Sequence, residues 1–190
     1  MERIYIEESK FEKVDFSANR LPGTDYENCQ FLNCNFSSAD LSNICFSECE
    51  FTDCNLTTAK LIQASFRDAR FFACKMMGLH FEHCSNFLFS VYFENAALNL
   101  SSFYGLNLKN TNFKKCILHE VDFTSADLTG ANFDGSDLAG GIFADSILEK
   151  ADLRTAYNYS IDPILNKLKR AKFSITGIAG LLDRFDIEIE

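Results

Sequence analysis

Tryptophan is absent from this 190-residue chain and proline occurs only twice, so neither proline-rich spacers nor polyproline recognition segments are present. No apolar run approaches the length needed to cross a bilayer. The start, Met1-Glu2-Arg3-Ile4, lacks the basic stretch and following apolar run of a secretion signal, so a cytoplasmic location is expected. Positive charge is scarce: 18 Lys and Arg face 27 Asp and Glu, giving a net charge of −9 that argues against direct binding to nucleic acid. Glycine-rich phosphate loops and nucleophile motifs are also missing. The three histidines, His80, His83 and His119, are expected to point outward. In an extended segment His80 and His83 would face different sides with Cys84 turned inward, so neither a metal site nor a cofactor site is expected, and the chain reads as non-enzymatic.

What the chain has in abundance is a large apolar residue at every fifth position. The first register runs from Ile6 through Phe11, Phe16, Leu21, Tyr26 and Phe31 to Met76 and Phe81. A second, shifted by two residues, runs from Leu88 through Phe93, Leu98 and Phe103 to Leu148 and Leu153 in near-strict Leu/Phe alternation. A period of five fits neither the 3.6 of a helix nor the 2 of a strand, so it is a fold signal of its own. Two positions before most of the large residues stands a small one, among them Cys29, Cys34, Cys49, Cys54, Cys74, Cys116, Ala126, Ala131, Ser136 and Ser146. Two inward and three outward residues per unit describe a chain that turns a corner every five residues. Cysteine in the small slot acts as a compact buried hydrophobe, so the eight cysteines are expected to be free thiols. Cys84 also fits the slot, whereas Cys45 precedes Phe46 and should face outward as the reactive thiol.

The units Ala126-Asp127-Leu128-Thr129-Gly130 and Ala131-Asn132-Phe133-Asp134-Gly135 show the pattern in full, and over residues 4–156 the chain resembles the pentapeptide-repeat family. The resemblance implies an all-β fold, a right-handed quadrilateral parallel β-helix with four units per coil, so that residues twenty apart stack. The Leu/Phe alternation then places Leu on two opposite walls and Phe on the other two. Small residues facing large ones fill such a tube and leave no lumen for a ligand.

Two segments depart from the repeat. Between Phe81 and Leu88 seven residues replace five, and Phe87, Phe89 and Tyr92 crowd the extra turn. They form either a packed bulge or an exposed contact patch. Residues 157–190 break the pattern with Pro163 and carry a basic run, Lys167, Lys169, Arg170 and Lys172. Ser174 to Arg184 reads as a short helix and Asp186 to Glu190 as a short strand that cap the last coil. This tail is similar to the dimer-forming end of the family members that protect DNA gyrase, which implies a homodimer through Leu181, Leu182, Phe185, Ile187 and Ile189.

Charge is uneven along the chain. Residues 1–59 carry 11 acidic and 4 basic side chains, residues 60–115 carry 3 and 7, and residues 116–156 carry 8 and 2. The resemblance implies an acidic rod that mimics DNA and engages DNA gyrase or topoisomerase IV, protecting it from quinolones or from a gyrase toxin, with Asp122, Asp127, Asp137 and Asp152 among the contacts. Other readings stand beside it. Acidic residues also keep a repeat protein soluble, and Asp or Asn before the large residue can serve the turn at each corner. The rod could equally be a scaffold for another protein partner, through Phe87, Phe89, Tyr92 or the outward Ile117, Ile142 and Ile147.

Overall fold

A corner every five residues leaves strands only two to four residues long, and the computed structural model of the chain, which describes residues 3–185, 187 and 188, consists of these stacked into a four-walled parallel β-helix. On the first wall Tyr5–Glu7, Asp25–Glu27, Cys45–Ser47 and Ser65–Arg67 pair in parallel. On the second wall Lys10–Glu12, Gln30–Leu32, Glu50–Thr52, Ala69–Phe72, Val91–Glu94 and Asn112–Lys114 do the same. Isolated parallel bridges, such as Asn35 with Asn55 and Ser102 with Asp122, hold the third and fourth walls. The register step is twenty residues, with Phe31 opposite Phe51, except across the slip, where Phe71 faces Phe93.

Stacking at one strand spacing, ~4.8 Å, puts equivalent side chains in van der Waals contact along each wall. Phe11, Phe31, Phe51, Phe71, Phe93, Phe113 and Phe133 form one continuous pile, with ring centroids 4.7 to 5.4 Å apart in successive pairs. On the opposite wall Phe81, Phe103, Phe123 and Phe143 form a second. The two piles meet edge to face across the tube, Phe113 against Phe123 at 5.5 Å and 83°. Leucine fills the walls between them, as the alternation in the sequence requires, and Leu118, Leu128 and Leu138 are fully buried. The bore is therefore solid.

The small slots serve a second purpose beyond fitting the bore. Cys29, Cys34, Cys49, Cys54 and Cys74 are free, and each thiol donates to a carbonyl of the preceding coil, those of Ile6, Phe11, Tyr26, Phe31 and Phe51, at 3.3 to 3.5 Å. Farther along, the hydroxyls of Ser136 and Ser146 donate in the same way to the carbonyls of Phe113 and Phe123, at 2.7 and 2.9 Å. Cysteine and serine thus place a donor on backbone carbonyls across the coils, a bond that a methyl group could not make. Burial pushes the thiols of Cys49, Cys84 and Cys116 up to about 12, so they stay protonated and inert. Cys45 is half-exposed, with its sulfur 3.6 Å from the Ser47 hydroxyl.

Most corners are made by the residue two places after the large one, which adopts a positive φ, +51° at Asn33 and +70° at Gly130. The residue before the large one supplies the complementary bond. Its side-chain oxygen accepts the N–H two residues on, as Asn35 does from Ser37 at 3.1 Å and Asp122 from Thr124 at 2.8 Å.

Three expectations from the sequence require correction. Leu88 does not open the second register inward; it is 64% exposed in the left-handed region at φ +57°. Two extra residues must leave the wall, and it is Phe89, edge-on to Phe81 at 6.4 Å, that turns toward the core before Val91 and Phe93 resume the ladder. The ladder also does not end at residue 156. Ile147 bridges Lys167, and Asp152–Leu153 pairs with Lys172–Phe173, because Leu168 and Phe173 keep the five-residue phase and Asn166 fills a small slot, accepting the Ser146 N–H at 2.8 Å. Finally, the segment from Ser174 to Arg184 is not one helix but two 3-10 turns, Ile178–Leu181 and Asp183–Phe185. Gly177 and Gly180 weaken a helix here, and both lie flat on the Tyr159 ring that plugs the last coil, where a Cβ would collide with Tyr159. The Gly180 carbonyl accepts the Ile161 N–H at 2.8 Å, and Arg184 forms an ion pair with Asp162, so the cap is pinned from two sides. Of the terminal strand expected over 186–190, Ile187 and Glu188 are not in strand and the remaining residues lie outside those described.

Replacing Phe113 by Ala removes a ring from within the longer pile, and urea unfolding followed by circular dichroism should show a loss of ~3–5 kcal/mol. Gly180→Ala should lift the cap off Tyr159. Limited trypsin digestion would then cut at Arg184 faster in the variant, with the β-sheet signal unchanged.

Candidate functional site

With the bore filled, the outer walls carry whatever the protein does. Among the described residues no group of three His, Cys, Asp or Glu is arranged to hold a metal ion, and no helix is long and apolar enough to cross a membrane. The histidine pair differs from its extended-chain picture. Phe81–His83 forms a 3-10 turn, so the rings of His80 and His83 lie side by side with centroids 5.3 Å apart, while Cys84 is buried as expected.

The four aspartates read as contacts do not share a surface. Asp122 stands on the fourth wall, Asp127 on the first, Asp137 on the third and Asp152 on the second, because their spacings are not multiples of twenty. All four are half-buried, and each accepts a backbone N–H two residues on: Thr124 at 2.8 Å, Thr129 at 3.1 Å, Ala139 at 3.2 Å and Arg154 at 3.3 Å. Two also have cationic partners, Asp127 with Lys109 at 3.2 Å and Asp152 with Arg154 at 2.7 Å, and the Asp137 carboxylate lies 2.9 Å from the His119 Nε2. Partial burial pushes the Asp127 and Asp137 carboxyls up, but hydrogen bonds outweigh it and hold both below the usual carboxylate range. The Arg154 fork holds Asp152 down to about 2.

The aromatic trio at the slip is also divided. Phe87 is 67% exposed under the Arg67 guanidinium, which sits 5.4 Å from the ring centroid. Phe89 packs on the core, and Tyr92 lies half-buried on the second wall with its hydroxyl donating to Glu94 at 2.7 Å. Phe87 and its neighbour Leu88 are thus the exposed part of the patch.

A different acidic line emerges when the residues are sorted by wall. Glu7 and Glu27 stack on the first wall, Glu8, Glu48 and Asp68 occupy the corner beside it, and Glu50 begins the adjoining wall. Among the described residues the five glutamates have no ion-pair partner, and Asp68 accepts the Ser90 hydroxyl at 2.7 Å. Six carboxylates over three steps of ~4.8 Å give on the order of one charge per 2.5 Å, comparable to about 3.4 Å per charge along one DNA strand.

At the far end Leu181 packs against the core and Leu182 is half-buried, whereas Phe185 and Ile187 are exposed together with Ile164, Leu165, Ile175 and Ile178. Ile189 lies outside the described residues.

The Asp152 carboxyl fixes an acid dependence. Its folded value lies below the ordinary 3.8, so the stability that it contributes is complete above about pH 4 and is lost as pH falls from 3.8 toward about 2. Because Arg154 is exposed and Asp152 only half-buried, water screens the pair and the effect is small, less than ~1 kcal/mol. Melting curves between pH 5 and pH 2 should show a shallower acid-side decline for Asp152→Asn than for the parent chain.

Comparison with known proteins agrees with this architecture. The family profile described as "Pentapeptide repeats (8 copies)" matches residues 9–49 and 49–85, and a second, "Pentapeptide repeat region", matches residues 74–153. Among solved structures, one trypsin-treated variant of QnrB1, a plasmid-mediated fluoroquinolone resistance protein, is 20% identical at a TM-score of 0.56, covering 98% of this chain and 99% of that one. Another trypsin-treated variant of the same protein is 20% identical at a TM-score of 0.50 with 100% of both chains covered. HetL of the cyanobacterium Nostoc sp. strain PCC 7120, a pentapeptide repeat protein involved in heterocyst differentiation regulation, is 18% identical at a TM-score of 0.35, covering 92% of this chain and 86% of that one. No curated protein matches. With profile matches running from residue 9 to residue 153 over coils of four five-residue units, the chain belongs to the pentapeptide-repeat family.

Proposed function

We propose that this protein is a non-catalytic, cytoplasmic binding protein whose acidic edge occupies the DNA-binding surface of DNA gyrase or topoisomerase IV. The observation that carries the reading is the glutamate line of Glu7, Glu8, Glu27, Glu48 and Glu50, which have no ion-pair partner among the described residues, on a solid support. A surface that binds duplex DNA is basic and responds mainly to phosphate charge, so a rigid ladder of carboxylates at strand spacing competes for it without base contacts. Asp122, Asp127, Asp137 and Asp152, spread over four walls, add to the field that attracts the partner rather than to a single contact line. The likeness in fold to a fluoroquinolone resistance protein supports this choice of partner. The exposed apolar residues of the tail supply a twofold seam that joins two rods into a homodimer. A second reading, docking of an unrelated protein, is favoured by the exposure of Phe87 and Leu88 at 67% and 64%.

Gyrase supercoiling in the presence of a quinolone separates these readings. Changing Glu7, Glu8, Glu27, Glu48 and Glu50 together to Gln should abolish the effect of the protein on the reaction. Changing Asp122, Asp127, Asp137 and Asp152 to Asn should leave most of it and cost little stability, since an amide oxygen still accepts the corner N–H. No effect of the parent chain on either topoisomerase would overturn the proposal in favour of another partner. Sedimentation should give a dimer that Phe185→Asp with Ile178→Asp converts to monomer.

A further inference from the structure

The first wall and the corner that follows it change sign from one end of the rod to the other. That corner carries Glu8, Asn28, Glu48 and Asp68 before the slip, and Asn110, Gly130, Lys150 and Arg170 after it, all at positive φ. Beside it on the wall, Asp25 and Glu27 belong to the acidic end, and Lys167 and Lys169 to the basic one. Lys150, Lys167, Lys169 and Arg170 are exposed, as are Glu27 and Glu48, and none of the six has an ion-pair partner among the described residues. Only Glu149 interrupts the basic end. From Glu8 to Arg170 is eight steps of ~4.8 Å, roughly 38 Å, with the slip midway. Phe87 and Leu88 protrude there, and the next level holds a groove of ≈ 490 Å³ lined by Leu88, Phe89, Leu106, Asn107 and Lys109 among others.

We propose that this face pairs with the same face of a second copy of the chain, the two rods running antiparallel. A twofold axis lying across the wall reverses the order of the levels and leaves each column opposite itself. With the Phe87–Leu88 bulge of each copy seated in the other's groove, one level along, Glu27 stands opposite Lys169 and Glu48 opposite Lys150. In the same register Asp25, which holds Arg3 at 3.4 Å, faces Lys167. Nearer the axis Glu149 faces Ser47, Arg67 faces Thr129 and Asp127 faces Ser65, so no like charges are directly opposed. Parallel rods would instead set acidic end on acidic end, so the face selects the antiparallel arrangement. The contact is a strip one wall wide, on the order of 1,000 Å² over both copies, the low end of specific interfaces. The pair is therefore weak and sensitive to salt, unlike the apolar seam proposed for the tail. Pairing also hides Glu27 and Glu48 from any other basic partner.

Sedimentation velocity tests this in the full chain carrying Phe185→Asp and Ile178→Asp, so that the tail seam does not contribute. Monomeric when dilute, this variant should dimerise as its concentration rises in low salt and return to monomer in about 0.5 M salt. Adding Glu27→Lys with Glu48→Lys, or Lys150→Glu with Lys169→Glu, should weaken the pair roughly tenfold in either case. An equimolar mixture of the two charge-reversed chains should recover it, because every reversed charge then meets its opposite. Carbodiimide coupling of isotope-labelled with unlabelled chain should join Lys150 or Lys169 of one copy to Glu27 or Glu48 of the other. Monomer at every concentration in low salt, association that salt leaves unchanged, no recovery in the mixture, or no cross-link between opposite ends would each overturn the proposal. All these outcomes are read without the tail seam and without a topoisomerase, so they stand apart from both of those readings.

Discussion

Everything in this structure depends on the close contact of equivalent side chains at one strand spacing. A strand of two to four residues has too few hydrogen bonds to stand alone, and a corner every five residues places many non-glycine residues in the left-handed region. What offsets this is the plugged bore, in which each phenylalanine lies flat on the next and edge-on to the opposite pile. The interior therefore dictates geometry to the exterior. Once Phe113 is seated on Phe93, the positions of Asn112 and Lys114 on the wall are fixed as well.

Most of the core was legible because inward residues obey one period and two size classes. The alternation correctly assigns Leu and Phe to different walls, and the small slots correctly place six cysteines inside, with Cys84 as a seventh. Two features were harder to read. Arithmetic locates the two-residue slip but does not say which of seven residues swings out, and the packing of Phe89 on Phe81 decides against Leu88. The end of the ladder was obscured because Asn158 and Pro163 occupy large-residue positions, although Leu168 and Phe173 beyond them keep the phase. Tyr159 and Ile161 fill the space instead.

The surface was read less well than the core, for a physical reason. Neighbours along the chain leave on different walls, whereas neighbours in space are twenty residues apart. Asp122 and Asp127, five apart, point a quarter-turn away from each other, while Glu7 and Glu27 sit side by side. A segment that is acidic overall thus need not present an acidic face. The aspartates that precede the large residues are occupied with corner N–H groups, and the glutamates of the acidic edge, Glu50 apart, occupy other columns.

The slip at Phe87 and Leu88 bears on how such proteins diversify. Each coil touches only those above and below, so two surplus residues are absorbed within a single turn, and Phe71 still finds Phe93 at 5.4 Å. Nothing on either side has to be rebuilt. A lineage can therefore acquire protrusions at a bend by simple insertion, trying out new surface shapes while the inherited framework is left untouched.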